Sequence, residues 1–292
     1  MNPETHELFP WEIIDHLIEL AIEEDLDETG DVTTDSTVAQ TVSGKAKLIA
    51  KANGILAGLP VFERVFNNQS KNQVEFETSK EDGDTLNKGD VVAELDGPLH
   101  HILRSERIAL NFLQHCSGVS TKTSLFVQAI HGLDCKILDT RKTTPGFRWL
   151  DKYAVRQGGG HNHRTGLFDM ILIKDNHIES AGGIDAVLTQ CLDSVQKLSK
   201  KVNIEIEVKN LDELKTVLKY PVDRIMLDNM DVATMKQAVE LVGGDVELEA
   251  SGNVTLKTIR SIAETGVDVI SVGALTHSAP AFDFSLLVEI SE

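Results

Sequence analysis

Long apolar segments are absent from this chain of 292 residues. Its longest apolar runs, such as Met170 to Ile173, have the length of a strand, far short of the roughly 20 apolar residues that a membrane-spanning helix needs. The N-terminus is acidic and lacks the basic region and apolar run of a signal peptide. We therefore expect a globular protein without a membrane segment, located in the cytoplasm.

Cysteine is also scarce. Cys116, Cys135 and Cys191 are an odd number without C-x-x-C spacing, which argues against a disulfide framework or a zinc knuckle. His115 and Cys116 are adjacent, which would suit a nucleophile and its base. Neighbouring side chains on a helix point about 100° apart, so these two do not face each other. Buried, reduced thiols are the favoured interpretation.

Positive charge is in deficit overall, and its distribution is uneven. The net charge of −18 disfavours nucleic acids and anionic membranes as partners. Between Lys136 and Lys174, however, eight basic residues stand against three acids. Because these cations alternate with glycines and strand-like segments, the pattern favours a focused anion-binding site.

The pattern of predicted strands and helices differs between the first and second parts of the chain. The first part, to about residue 115, combines an amphipathic segment with strand-like segments, as in an α+β layer (Trp11 to Glu23; Lys45 to Lys51, Val74 to Thr78 and Val91 to Leu95). A helical pattern from Ser105 to about Ile130, broken near Gly118, predicts the link to a second part. There, short strands alternate with helices: strands Lys136 to Leu138, Met170 to Ile173, Ile204 to Val208, Arg224 to Leu227, Val246 to Ala250 and Asp268 to Val272, and helices Leu211 to Lys219, Val232 to Leu241 and Leu256 to Glu264.

Chemically notable residues recur with the period of this β-α unit. Glu207, Asp228, Ser251 and Gly273 follow one another at intervals of 21, 23 and 22 residues, each at the carboxyl end of a predicted strand. Parallel strands joined by right-handed crossovers bring such residues to one mouth. Six or seven strands after residue 135 favour an incomplete α/β barrel.

Three segments supply candidate ligands for an anion. The first segment, Asp139 to Gly146, presents Arg141 and Lys142 before a Pro-Gly turn. The second, Gly158 to Arg164, adds two imidazoles and a further guanidinium. In the third, Lys174 closes a predicted strand. A guanidinium clamps a carboxylate or phosphate with two parallel hydrogen bonds, and an ammonium acts as a movable point charge. A buried lysine is costly unless it is paired, which makes Lys174 a candidate functional residue.

The remaining polar residues leave alternatives open. His161, His163 and His177 are disfavoured as zinc ligands because no carboxylate or cysteine completes a recognised spacing. Glu207 and Asp228 fit either structural ion pairs or a site for Mg²⁺ and ribose hydroxyls. Small residues before helices, at Ser251, Gly252, Asn253 and Gly273, indicate a phosphate site.

Taken together, these segments resemble the quinolinate phosphoribosyltransferases, also called nicotinate-nucleotide pyrophosphorylases (carboxylating). The resemblance covers nearly the whole chain, through Glu24-Asp25, Gly30 to Thr33, Ser105 to Asn111, Asp139 to Gly146, Gly158 to His177, Glu205 to Glu207, Leu227 to Asn229, Glu249 to Gly252 and Val272 to His277. Lys209 and Thr165 depart from the family pattern, and neither stands at a matched functional position.

The resemblance implies a fold, an assembly and a reaction. The fold is an N-terminal α/β sandwich (residues 1–115, with the tail 277–292 packed on it) and a C-terminal incomplete, TIM-like α/β barrel (residues 116–276). The assembly is a homodimer with shared active sites. The reaction transfers the phosphoribosyl group of phosphoribosyl pyrophosphate to quinolinate with decarboxylation, which yields nicotinate mononucleotide for NAD synthesis.

Carried onto this chain, the resemblance also implies site residues. Arg107 is expected to be lent across the dimer interface. The other expected substrate ligands are Thr140, Arg141, Lys142, His163, Arg164, Lys174, Glu207, Asp228, Ser251, Gly252, Asn253 and Gly273. Lys142, Lys174, Glu207 and Asp228 are the expected catalytic groups, and Glu207 and Asp228 would also hold Mg²⁺, directly or through water.

Three other functions remain open. A related transferase of the same fold could act on a different base or metabolite, since fold does not fix substrate. A phosphosugar isomerase or decarboxylase on an α/β barrel would use Gly252 and Gly273 but leaves the arginines unused. A non-catalytic sensor is disfavoured because both Glu207 and Asp228 are retained.

Overall fold

The computed structural model describes residues 9–199 and 201–290, which divide into two compact units. Of the described residues, the first unit contains 9–124, Thr144–Gly159 and 275–290. The second contains Leu125–Thr143 and Gly160–Ala274. Within the described ranges, no helix has both the length and the apolar character to cross a membrane.

A four-stranded antiparallel sheet organises the first unit. In sheet order its strands are β12 (Phe284–Ile290), β1 (Ser43–Ala50), β5 (Val91–Pro98) and β3 (Glu75–Glu77). Ala46, Leu48 and Ala50 alternate along β1 and are buried, so one face of the strand is in the core. A second pair consists of β2 (Gly54–Ile55) and β4 (Thr85–Leu86). Because β12 pairs with β1, residues 284–290 of the C-terminal tail form a strand of this unit.

The helices associated with the first unit are α1 (Trp11–Leu26), α2 (Val32–Thr37), α3 (Leu59–Ser70), α4 (Leu99–Ala129) and α5 (Arg148–Gln157). Helix α4 is continuous through Gly118, so the expected break there is wrong. A Cβ added at Gly118 would lie 2.1 Å from the carbonyl oxygen of Pro280. The glycine therefore permits close packing of that segment against α4, and the expected domain boundary at residues 115 and 116 falls inside a helix.

A six-stranded parallel sheet forms the centre of the second unit. In sheet order its strands are β6 (Lys136–Leu138), β11 (Val269–Ser271), β10 (Glu247–Ser251), β9 (Arg224–Asp228), β8 (Asn203–Val208) and β7 (Met170–Ile173). The two edge strands, β6 and β7, do not pair with each other in the described chain. The sheet is therefore the predicted incomplete barrel, and all six strands appear where the sequence predicts them.

The helices that follow these strands are α6 (Asp175–Ala181), α7 (Ile184–Val195), α8 (Leu211–Val217), α9 (Val232–Val242), α10 (Ile259–Ala263) and the single turn α11 (Ala274–His277). Two of them start at side-chain caps. The side chain of Asn210 accepts from the amides of Asp212 and Glu213, and that of Asp231 accepts from Thr234. These caps fix where the chain turns after β8 and β9, directly beyond Glu207 and Asp228.

Candidate active site

A cavity of about 330 Å³ lies at the carboxyl ends of the strands in the second unit. Seven of its lining residues are among the predicted substrate ligands: Thr140, Arg141, Lys142, His163, Arg164, Lys174 and Ser251. The others are Leu172, Met226, Glu249 and Ser271. The second unit thus brings most of the predicted ligands to a single cavity.

Positive charge dominates this cavity. Arg141, Lys142, Arg164 and Lys174 line it, against the single carboxylate of Glu249. Partial burial, and then the nearby charge of Arg141, lower the pKa of Arg164. Guanidinium groups that destabilise one another's charge are matched to a ligand with several negative charges.

Asp139, at the end of β6, holds two of the ligand loops together. Its side chain is fully buried and accepts hydrogen bonds from the amide of His163 (2.8 Å) and from Nδ2 of Asn162 (2.6 Å). Its own amide donates to the carbonyl of His161 (3.1 Å). A buried carboxylate with several donors is a rigid anchor, so Asp139 fixes residues 161–163 beside the loop that carries Thr140.

Lys174 and Glu207 form an ion pair across adjacent strands. Nζ of Lys174 donates to Oε2 of Glu207 at 2.9 Å, with the two side chains 46% and 10% exposed. The amide of Lys174 donates to Nδ1 of His177. The expectation of a buried lysine is therefore wrong, because the buried member of the pair is the carboxylate.

A buried ionic cluster consists of His163, Glu205, Arg224 and Glu249, and two of its members, His163 and Glu249, line the cavity. Nε2 of His163 lies 3.1 Å from Glu205 and 3.2 Å from Glu249, and both carboxylates are fully buried. Arg224 lies 3.1 Å from Glu249 and 4.0 Å from Glu205. Both ring nitrogens of His163 face protein groups, since Nδ1 accepts the amide of Arg164 at 2.7 Å.

The buried ionic cluster retains a proton near neutral pH. Burial lowers the pKa of His163, but the hydrogen bonds to Glu205 and Glu249 outweigh it and raise the pKa to about 9. Burial raises the pKa of Glu205. Burial also acts to raise the pKa of Glu249, but the hydrogen bond from His163 and the charge of Arg224 hold it below its ordinary value. Because Nδ1 of His163 accepts the amide of Arg164, the ring carries its N–H on Nε2, which faces the carboxylates of Glu205 and Glu249.

In the described ranges, His163, Glu205 and Glu249 are also the one group of three or more side chains spaced to hold a metal ion. Arg224 already lies against these carboxylates. Of the other histidines considered from the sequence, His161 bonds to the backbone of β6 and His177 to Lys174.

Glu207 and Asp228 have the donor chemistry that Mg²⁺ requires. They end adjacent strands, and one oxygen of each is engaged: Oε2 of Glu207 by Lys174, and Oδ1 of Asp228 by Nδ2 of Asn229 (2.9 Å). Among the described residues, Oε1 of Glu207 and Oδ2 of Asp228 have no hydrogen-bond partner. Two hard oxygen ligands on neighbouring strand ends fit a cation that keeps most of its water.

The remaining predicted ligands fall into two places. Ser251 ends β10 and is followed by Gly252 and Asn253, whose φ angles are 103° and 49°, and Gly273 precedes α11. Arg107 is exposed on α4 and belongs to the first unit, whereas every lining residue of the cavity belongs to the second.

Glu205, Arg224 and Glu249 were not predicted from the sequence to belong to the site. A signal for Glu205 existed, because residues two apart on a strand share a face and Glu205 stands two before Glu207. Glu249 and Ser251 have the same relation on β10. Leu172 and Met226 gave no signal, since apolar residues within strands are ordinary core.

Comparison with known families matches both parts of the chain to domain models of a single family. Residues 31–117 match the family model described as quinolinate phosphoribosyl transferase, N-terminal domain, and residues 119–287 match the corresponding C-terminal domain. The chain belongs to the quinolinate phosphoribosyltransferase family. The resemblance inferred from the motifs is thereby confirmed.

Individual members of the quinolinate phosphoribosyltransferase family align over most of the chain. A quinolinate phosphoribosyltransferase [decarboxylating] of Nicotiana tabacum is 41% identical over 99% of this chain and 85% of its own. A probable nicotinate-nucleotide pyrophosphorylase [carboxylating] of Bacillus subtilis is 43% identical over 85% of each chain. The crystal structure of NadC from Streptococcus pyogenes superposes with a TM-score of 0.92 at 39% identity, covering 98% of this chain and 99% of that one.

Proposed function

We propose that this protein transfers the phosphoribosyl group of phosphoribosyl pyrophosphate to quinolinate, with loss of carbon dioxide, to give nicotinate mononucleotide and pyrophosphate in NAD synthesis. The observation that carries the proposal is the cavity in which four cations face one carboxylate within a chain of net charge −18. Quinolinate brings two carboxylates, and the sugar donor brings a phosphate and a pyrophosphate. A pocket for both must concentrate positive charge.

The residues divide the binding task by their chemistry. Arg141 and Arg164 are suited to clamp the two carboxylates of quinolinate through paired hydrogen bonds. Ser251, Gly252, Asn253 and Gly273 follow strand ends and are suited to bind the 5′-phosphate through backbone amides. His163 supports the floor of the pocket through its contacts with Glu205 and Glu249.

The proposed reaction depends on charged side chains around the ribose and the pyridine ring. As the bond from C1 to pyrophosphate breaks, C1 gains positive charge, which the carboxylates of Glu207 and Asp228 stabilise. The ring nitrogen of quinolinate attacks C1 as pyrophosphate leaves, and its new positive charge stabilises the electron pair that remains on C2 when the 2-carboxylate departs as carbon dioxide. Lys142 and Lys174 are the candidate groups for stabilising the resulting ylide, and a proton taken up from water at C2 completes nicotinate mononucleotide.

Mg²⁺ is the proposed cofactor. Glu207 and Asp228 would hold it, directly or through water, and it would neutralise charge on the departing pyrophosphate. The free oxygens of these two side chains, at the ends of adjacent strands, support this assignment.

We further propose a homodimer in which Arg107 completes the active site of the other subunit. Mixing Arg107→Ala with Lys174→Ala, each expected to be inactive, should restore roughly a quarter of wild-type turnover of quinolinate. Random pairing makes half the dimers mixed, and each mixed dimer has one intact site of two. The measurement is the fall of quinolinate absorbance with Mg²⁺ and phosphoribosyl pyrophosphate.

Arg104→Ala is the matched control, because Arg104 lies on the same helix but pairs with Asp35. It should remain active alone. If mixed dimers form, as shown by copurification of two differently tagged chains, and no activity returns, then Arg107 does not act across an interface.

The chain's three cysteines are free. This agrees with a reducing compartment, and we propose the cytoplasm.

The main alternative function is a transferase of the same fold that acts on another base. Such an enzyme would share the phosphate site and would differ only in the ligand that the cations bind.

A further inference from the structure

An asparagine that the mechanism above does not use links two parts of the site. Asn229 directly follows β9 and Asp228, and it adopts a φ of 52°, in the left-handed region. The left-handed conformation is uncommon for residues other than glycine, and asparagine tolerates it better than most residues with a side chain. Its amide also donates to the carbonyl of Ser251 at 2.9 Å, which ties the end of β9 to the end of β10.

The side-chain amide of Asn229 makes one contact with each of these strand ends. Nδ2 donates to Oδ1 of Asp228 at 2.9 Å, and Oδ1 accepts from Nδ2 of Asn253 at 3.2 Å. The orientation of the amide is forced, because an ionised carboxylate only accepts hydrogen bonds and so must face the NH₂ group. A carboxylate at position 229 could not make the first contact.

Gly252 leaves room for this bridge. A Cβ added at Gly252 would lie 2.1 Å from Oδ1 of Asn229 and 2.6 Å from its Cγ. The φ of 103° at Gly252 also favours glycine. The backbone of residues 251–253 is thus shaped around the amide of Asn229.

We propose that Asn229 is a positioning residue that couples the ribose-facing carboxylate of Asp228 to the phosphate-binding segment 251–253. The inference rests on the proposed function, in which these two groups bind the same molecule of phosphoribosyl pyrophosphate. Asn229 therefore acts on the sugar donor and not on quinolinate.

The test measures the KM of each substrate in Asn229→Asp and Asn229→Gly. Asn229→Asp replaces the donor with a negative charge, and Asn229→Gly keeps the left-handed backbone but removes the amide. Loss of a hydrogen bond to a charged group predicts a roughly 10- to 100-fold fall in kcat/KM for phosphoribosyl pyrophosphate in both variants. The KM for quinolinate should stay within about twofold of wild type, because a purely structural defect would affect both substrates.

Asn72→Asp is the matched control, since Asn72 is also exposed and left-handed, with a φ of 62°, but belongs to the first unit. It should leave both KM values unchanged. A wild-type kcat/KM for phosphoribosyl pyrophosphate in Asn229→Gly, or equal losses for both substrates, overturns the coupling role. Should Asn229→Asp fail to fold, Asn229→Gly decides. Wild-type protein that does not consume quinolinate would overturn the proposed function, and the inference with it.

Discussion

Lys174→Met is expected to lower kcat/KM for quinolinate by about 10²- to 10³-fold, the usual cost of removing one preorganised group that stabilises transition-state charge. Lys174 is the cation of the cavity that contacts a candidate catalytic carboxylate, at 2.9 Å from Glu207. Methionine keeps the length of the side chain and removes only the ammonium. The measurement is steady-state turnover of quinolinate at saturating phosphoribosyl pyrophosphate.

Lys209→Met removes the same charge from the loop that follows the neighbouring strand, β8. Lys209 pairs with Asp175 at 3.2 Å, both side chains are about half exposed, and neither lines the cavity. Exposed pairs of this kind contribute little, so kcat/KM should change by less than about threefold. Equal losses in the two variants would show that general electrostatics, and not the position of Lys174, governs turnover.

Arg224→Met is expected to lower the free energy of unfolding by about 3–5 kcal/mol at pH 7, because it leaves buried carboxylates without their cation. Arg224 lies 3.1 Å from Glu249, whose side chain is fully buried, and 2.6 Å from Glu247. Arg260→Met is the matched control, since the pair of Arg260 with Glu264 is exposed and should matter by less than about 1 kcal/mol. Urea titration of each variant gives the comparison.

The loss in Arg224→Met should depend on pH in a defined direction. Arg224 and His163 hold the pKa of Glu249 below its ordinary value. The stability linked to that shift is present above the unfolded carboxyl pKa of about 4.3 and is lost as the pH falls through the lower folded value. The difference in the free energy of unfolding between wild type and variant should therefore stay level from pH 7 to about pH 4.3 and narrow only below it. A gap that widens on acidification, or a loss under about 1 kcal/mol at pH 7, contradicts this account of the buried ionic cluster.

The strands of the second unit were predictable from sequence because each is a short apolar run bounded by turn residues. Met170–Ile173 and Lys136–Leu138 are observed with the predicted bounds. The continuity of α4 was not predictable, since Gly118 weakens a helical pattern unless one knows that Pro280 packs against it. That contact joins residues far apart in the chain, and no local pattern encodes it.

In the candidate site, too, some residues were predictable from their neighbours in sequence, and others depend on contacts between distant parts of the chain. Arg141 and Arg164 were predictable because clustered cations in turn-rich loops are poor core residues. Lys174 was predictable because a lysine that closes an apolar strand is costly without a partner. Glu205 and Glu249 were not assigned, although both stand two residues before predicted ligands. A glutamate inside an apolar strand becomes meaningful only when its cation is known, and that cation, Arg224, begins a different strand.

The comparison of quinolinate with nicotinate tests the central claim, that the cations of one cavity bind a doubly charged pyridine beside phosphoribosyl pyrophosphate. We predict that kcat/KM for quinolinate exceeds that for nicotinate by roughly 10⁴ or more, because the missing carboxylate leaves polar groups of the site unpaired. Carbon dioxide and pyrophosphate should be released in equal amounts. Consumption of nicotinate at an equal or higher rate, with quinolinate ignored, would contradict the account.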